Sequence, residues 1–248
     1  MDWLEITLIG LMAGTMGTGI GGLLALSLLR PSNSVLGLML GFSGGIMLSI
    51  VFMELLQKAA KNSFAHMIVG LLLGILVFVY LDNYFPHWHY VSEETVGKAY
   101  VRNYVRKGVL IATGIALHNL PEGIAIGAGF ASSEQMGITL AILIAAHNIP
   151  EGMAVGFPLY IGGLGRAKSL AITLMAGVPM GAGALLGALT GNISLSFLSL
   201  SLGFAAGAML YIVCDELIPD VYRLASAHTA ILGITAGILT GMLMVYYL

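Results

Sequence analysis

Charge is what this sequence has least of: Asp, Glu, Lys and Arg together make up 9% of its 248 residues, against 58% hydrophobic residues. So few charges cannot cover the surface of a water-soluble domain of this length, which excludes a soluble globule and leaves the lipid bilayer as the chain's main solvent. Cysteine is nearly absent too. With Cys214 alone, no internal disulfide can form and no thiolate metal cluster can be built within one chain. The formal net charge is only -2, so no broad basic surface points to a nucleic acid partner. The opening MDWLEITLIGLMAGTMG is acidic ahead of its apolar run, the reverse of a cleaved secretory leader, and residues 3 to 28 read as a retained first span.

What the chain has in abundance is long apolar runs. A hydrocarbon core about 30 Å thick is crossed by roughly 20 helical residues. On that measure the sequence predicts an all-α membrane protein of eight transmembrane helices in one domain, 1–248, with spans near 4–28, 34–57, 64–85, 108–130, 137–160, 169–190, 195–218 and 228–247. Most connections are short. The exception is the polar loop 86–107, whose second half sets Tyr100, Val101, Tyr104 and Val105 among Lys98, Arg102, Arg106 and Lys107, as an amphipathic turn or two on the headgroups. Eight spans put eight cations on one side (Arg30, Lys98, Arg102, Arg106, Lys107, Arg166, Lys168 and Arg223) and only Lys58 and Lys61 on the other. Cation-rich loops stay cytoplasmic, so loop 86–107 is expected inside and both termini outside.

Parts of the chain repeat. GFSGGIMLSIVFMEL from Gly41 and GFAAGAMLYIVCDEL from Gly203 share nine of fifteen residues, including Glu54 with Glu216, and pair the second span with the seventh. MGTGIGG from Met16 matches MGAGALL from Met180 more loosely and pairs the first span with the sixth. Each pair runs in opposite directions across the membrane, which predicts a 3+2+3 inverted repeat, the layout of secondary transporters that bind their ligand near the midplane.

The fourth and fifth spans carry the chemistry. HNLPEGIAIG from His118 and HNIPEGMAVG from His147 agree at seven of ten positions. Each motif lies about ten residues, some 14 Å, inside its helix. Residues four apart share a helix face, so His118 sits over Glu122 and His147 over Glu151, flanked by Asn119 and Asn148. Packed face to face, the two helices would converge two imidazoles, two carboxylates and two carboxamides. Pro121 and Pro150 free the carbonyls of Leu117 and Ala146 and suggest kinks beside those groups. Burying two like charges at membrane depth is costly, and a divalent cation removes both penalties. Imidazole with carboxylate and amide oxygen suits Zn(II), Fe(II), Mn(II) or Co(II), and two bridging carboxylates leave room for a pair of ions.

HNLPEG and HNIPEG in consecutive spans resemble the ZIP family of divalent metal transporters, in its bacterial branch with the motif doubled, and the likeness to that family's second and seventh spans extends it over nearly the whole chain. The resemblance implies eight spans with outside termini, metal uptake toward the cytoplasm, a binuclear centre and an elevator-like movement. By motif position it implies that His118, Glu122, His147 and Glu151 hold the first ion, and that Asn119 and Asn148 join the shared glutamates at the second. One position departs. Where many relatives have a glutamate in a stretch like SGLAEP, the sequence AGVPMG puts Met180, a poor ligand for such ions, and this weakens the expected second site.

Other polar residues have expected places. Glu54 is expected at the entrance of the path and Asp215 with Glu216 at its exit, while His87 and His89 could capture metal in the cytoplasmic loop. The metal is cargo and no cofactor is expected; a homodimer stays open, and the location is a plasma or inner membrane. Two rivals remain: an intramembrane metalloprotease, whose HExxH signature is missing because Asn119 and Asn148 follow the histidines, and a metal sensor without transport.

Overall fold

The computed structural model describes residues 1–27, 32–84 and 98–247, and among these there are helices and no strand. In chain order they are α1 (Trp3–Ser27), α2 (Asn33–Ser49), α3 (Leu56–Tyr84), α4 (Lys98–Ser132), α5 (Glu134–Ile161), α6 (Arg166–Gly177), α7 (Pro179–Gly191), α8 (Leu195–Ile212), α9 (Ile218–Leu224) and α10 (Ala227–Tyr247). π-Helical turns join α2 to α3 at Ile50–Leu55 and α8 to α9 at Val213–Leu217. Seven stretches among the described residues are long and apolar enough to cross a bilayer. One of them, Asn33–Leu81, has 49 residues and is interrupted at Ser63, whose backbone is extended (φ −161°, ψ 105°). Large side chains such as Leu72, Leu76, Leu239 and Leu243 stay exposed on α3 and α10, as a lipid-facing surface allows.

Helix starts follow local chemistry. Ser32, Ser133 and Ser194 each sit ahead of a helix and accept a hydrogen bond from the amide three residues on, at 3.2 to 3.3 Å. Ser133 is the sole residue between α4 and α5. Gly165 opens α6 with φ +82°, a backbone conformation that favours glycine.

Three expectations from the sequence change. The segment 98–107, expected in the loop, is helical and continuous with α4, because its Tyr and Val residues recur at helical spacing and simply extend the next span. The span expected at 169–190 is two helices that meet at Val178. Pro179 has no N–H to give the carbonyl of Met175, which instead accepts from Val178 at 3.2 Å. The match between the first and sixth spans also shifts by two residues. A methyl group on Gly21 would overlap Ile149, Gly152 and Met153, and one on Gly183 would overlap Leu120, Gly123 and Ile124, each 29 positions earlier. Gly152 likewise meets the carbonyl of Thr18 as Gly123 meets that of Met180. Thr18, rather than Met16, therefore stands toward α5 as Met180 stands toward α4.

Glycine decides the packing. α1 lies on α5, α4 on α7, α2 on α10 and α3 on α8, in backbone-to-backbone contact at glycines such as Gly45, Gly123, Gly152 and Gly207. The core these pairs enclose includes Met47, Ile50, Leu143, Ile144, Met209 and Ile212 from α2, α5, α8 and the first π-helical turn. Gly152→Ala is expected to lower stability by about 1–3 kcal/mol through overpacking against Thr18. Gly44→Ala, whose added methyl would approach nothing closer than 3.7 Å, should stay within about 0.5 kcal/mol of wild type. Thermal unfolding of the two variants in one detergent checks this.

Candidate metal centre

α4 and α5 carry the two copies of the motif, with Pro121 and Pro150 inside them. Both helices run unbroken through the proline. Two residues further on, Gly123 and Gly152 seat each helix on the backbone of α7 or α1, which supports the helical path where a hydrogen bond is missing.

All six motif side chains are buried: His118 is 3% exposed, Glu151 1%, and Asn119, Glu122, His147 and Asn148 0%. Nε2 of His147 lies 2.9 Å from Oε1 of Glu122 and ties α5 to α4. Ser43 of α2 donates to Oε1 of Glu151 at 3.1 Å and approaches the carbonyl of His147 at 3.0 Å. One donor atom each from Glu122, His147 and Glu151 falls within 4.8 Å of the others. Four-coordinate zinc with bonds of about 2.0–2.2 Å sets its ligand atoms about 3.3–3.6 Å apart, so slight contraction brings these three into range. Oε2 of Glu122 and Oε2 of Glu151 are buried with no hydrogen-bond partner among the described residues. Buried carboxylate oxygens left this way are costly, and a shared dication satisfies both.

The remaining residues divide. His118 is not in that three-donor group; its Nε2 sits 2.7 Å from Oε2 of Glu216, in the second π-helical turn, with side chains 4% and 13% exposed. Asn119 is fully engaged. Its Nδ2 donates to the carbonyls of Ile115 (3.0 Å) and Ala176 (2.9 Å), and its Oδ1 accepts from Nδ2 of Asn148 at 3.1 Å. Asn119 therefore ties α4 to the broken end of α6, while Oδ1 of Asn148 is buried without a hydrogen bond among the described residues. Met180 is buried in the first turn of α7. Glu54, in the first π-helical turn, and Asp215, in the second, are both partly exposed. His87 and His89 lie outside the described residues.

Sequence reasoning missed Ser43. Its one signal was a difference between the repeats, since Ala205 stands at the matching place in the second copy.

A helical, multi-pass membrane bundle with carboxylates and imidazole sealed among its helices defines a membrane protein whose buried donors suit a divalent metal. Residues 91–248 match the ZIP zinc transporter family. The chain is 38% identical over 244 residues to the zinc transporter ZupT of Corynebacterium glutamicum, covering 92% of each chain. It is 36% identical over 245 residues to the zinc transporter ZupT of Chlorobium limicola, covering 92% of this chain and 91% of that one. A further zinc transporter ZupT, from Stenotrophomonas maltophilia, is 31% identical over 240 residues, with 91% and 89% covered. The chain belongs to the ZIP family.

Asn119→Ala is expected to destabilise the metal-free protein by about 1–3 kcal/mol, because it leaves the buried Ala176 carbonyl and the Asn148 amide without their partner. Thermal unfolding in the presence of a chelator measures this loss apart from any loss of metal binding.

Proposed function

We propose that this protein carries divalent transition-metal ions, zinc foremost and also iron, manganese and cadmium, through a bacterial inner membrane into the cytoplasm. The observation that carries the reading is the sealed group of Glu122, His147 and Glu151, with two carboxylate oxygens unpartnered, in a chain of the ZIP family. The named relatives are bacterial zinc transporters.

The first ion is held by Glu122, His147 and Glu151, with His118 joining when it leaves Glu216. A second ion would use Asn119 and Asn148 with the shared glutamates. That site is the weaker one, since Asn119 spends its amide on backbone carbonyls and Met180 offers only a thioether. Glu54 is the entrance residue, and Asp215 with Glu216 forms the exit. The contact of His118 with Glu216 supports a hand-over between centre and exit.

Eight spans follow if Asn33–Leu81 crosses twice, turning at Ser63, and both termini then lie outside. The helix pairing supports the inverted repeat. Exchanging α1 with α6–α7, α2 with α8, α3 with α10 and α4 with α5 turns each major contact into another: α1 on α5 becomes α7 on α4, and α2 on α10 becomes α8 on α3. The two π-helical turns fall at matching positions as well. Transport then proceeds by movement of the group α1 and α4–α7 against α2, α3 and α8–α10, exposing the centre to one side at a time.

Purified protein in liposomes loaded with a zinc-sensitive dye tests this. Wild type should give a dye response on addition of zinc, and the double variant His118→Ala with His147→Ala should abolish it. Glu216→Ala should slow uptake; unchanged velocity and affinity would remove Glu216 from the path. Cleavage of a membrane substrate without zinc flux would instead favour the protease.

A further inference from the structure

Ser43 comes from α2, outside the helices that carry the metal donors, yet it reaches the centre. Its side chain is fully buried, and Gly45, on the other side of the same helix, packs against α10, so α2 presents its one hydroxyl in this stretch to α5. A hydroxyl has a single proton. With the carbonyl of His147 at 3.0 Å and Oε1 of Glu151 at 3.1 Å both accepting, the charged oxygen is the stronger claimant.

The two glutamates are held differently. Oε1 of Glu122 is met by Nε2 of His147, whereas Oε1 of Glu151 is met by Ser43. To ligate an ion through Nε2, His147 must give up its contact with Glu122. Ser43 has no such conflict, because it takes the oxygen opposite the unpartnered Oε2 of Glu151. In the second repeat Ala205 stands at the place of Ser43, so Glu122 has no equivalent hydroxyl from α8.

We propose that Ser43 is a positioning and specificity residue of the metal centre: by holding one oxygen of Glu151 it leaves that carboxylate a single oxygen to offer, which suits four-coordinate zinc and disfavours manganese. Zinc takes four donors at short range, so a one-oxygen carboxylate fits it. Manganese favours octahedral oxygen sets, which a carboxylate free to bind through both oxygens supplies more readily. This inference rests on the metal-centre reading above.

The test is calorimetric titration of the purified full-length protein with Zn(II) and, separately, Mn(II). Ser43→Ala removes one atom from a packed position and should leave the fold intact. It is expected to weaken zinc binding about tenfold, the usual scale for loss of a group that orients a ligand. Manganese binding should hold or tighten, because Glu151 can then offer both oxygens, so the preference for zinc falls. In a Glu151→Ala background, Ser43→Ala should have no further effect on zinc, because the carboxylate it positions has gone. A zinc-to-manganese preference unchanged by Ser43→Ala overturns the proposal, as does a full additional loss in the Glu151→Ala background. If Glu151→Ala alone binds zinc as wild type does, the metal-centre reading fails first and the role of Ser43 with it.

Discussion

Two carboxylates, Glu122 and Glu151, are enclosed within the bundle, one 0% and the other 1% exposed, and much of the structure is arranged around that difficulty. An ionised carboxylate at membrane depth must find a proton, a hydrogen-bond donor or a cation. Here each glutamate gives one oxygen to a protein donor and keeps the other unpartnered. Hydrogen-bond ties between helices do not by themselves account for the two spare carboxylate oxygens of this centre.

The glycines make the enclosure possible. With side chains removed at Gly21, Gly123, Gly152 and Gly183, α1 and α7 press directly on the backbones of α5 and α4 beside the polar residues. Backbone packed this closely lowers the local dielectric, where electrostatic interactions are stronger than in water. Asn119 adds a polar tie to the same wall. The carbonyl of Ala176 lies at the end of α6, where Pro179 interrupts the helix, and the Asn119 amide satisfies it from α4.

Much of this was legible in the sequence. The apolar runs gave the helices, because membrane helices must satisfy their own backbones and so declare themselves by length. The duplicated HNxPEG stretches gave six buried polar residues through a spacing of four. Less legible were features set by neighbours. The start of α4 moved to Lys98 because a basic amphipathic turn and the first turns of a span look alike without the membrane in view. The break at Val178 was written in Pro179, but the apolar run concealed it. Ser43 meets Glu151 across 108 positions, and no local pattern encodes such a contact. His118 stood at ligand spacing, yet its partner is Glu216, which the repeat had marked for another duty.

The single residue between α4 and α5 has a mechanical meaning. Ser133 spans no more than the length of an extended residue, with φ −164° and ψ 150°, and its hydroxyl is fastened to the following turn. Two rods riveted this closely at one end can tilt together but cannot slip lengthwise past each other. Whatever rearrangement the bundle undergoes, α4 and α5 keep their register at this end, and the polar residues of their two motifs travel as one unit.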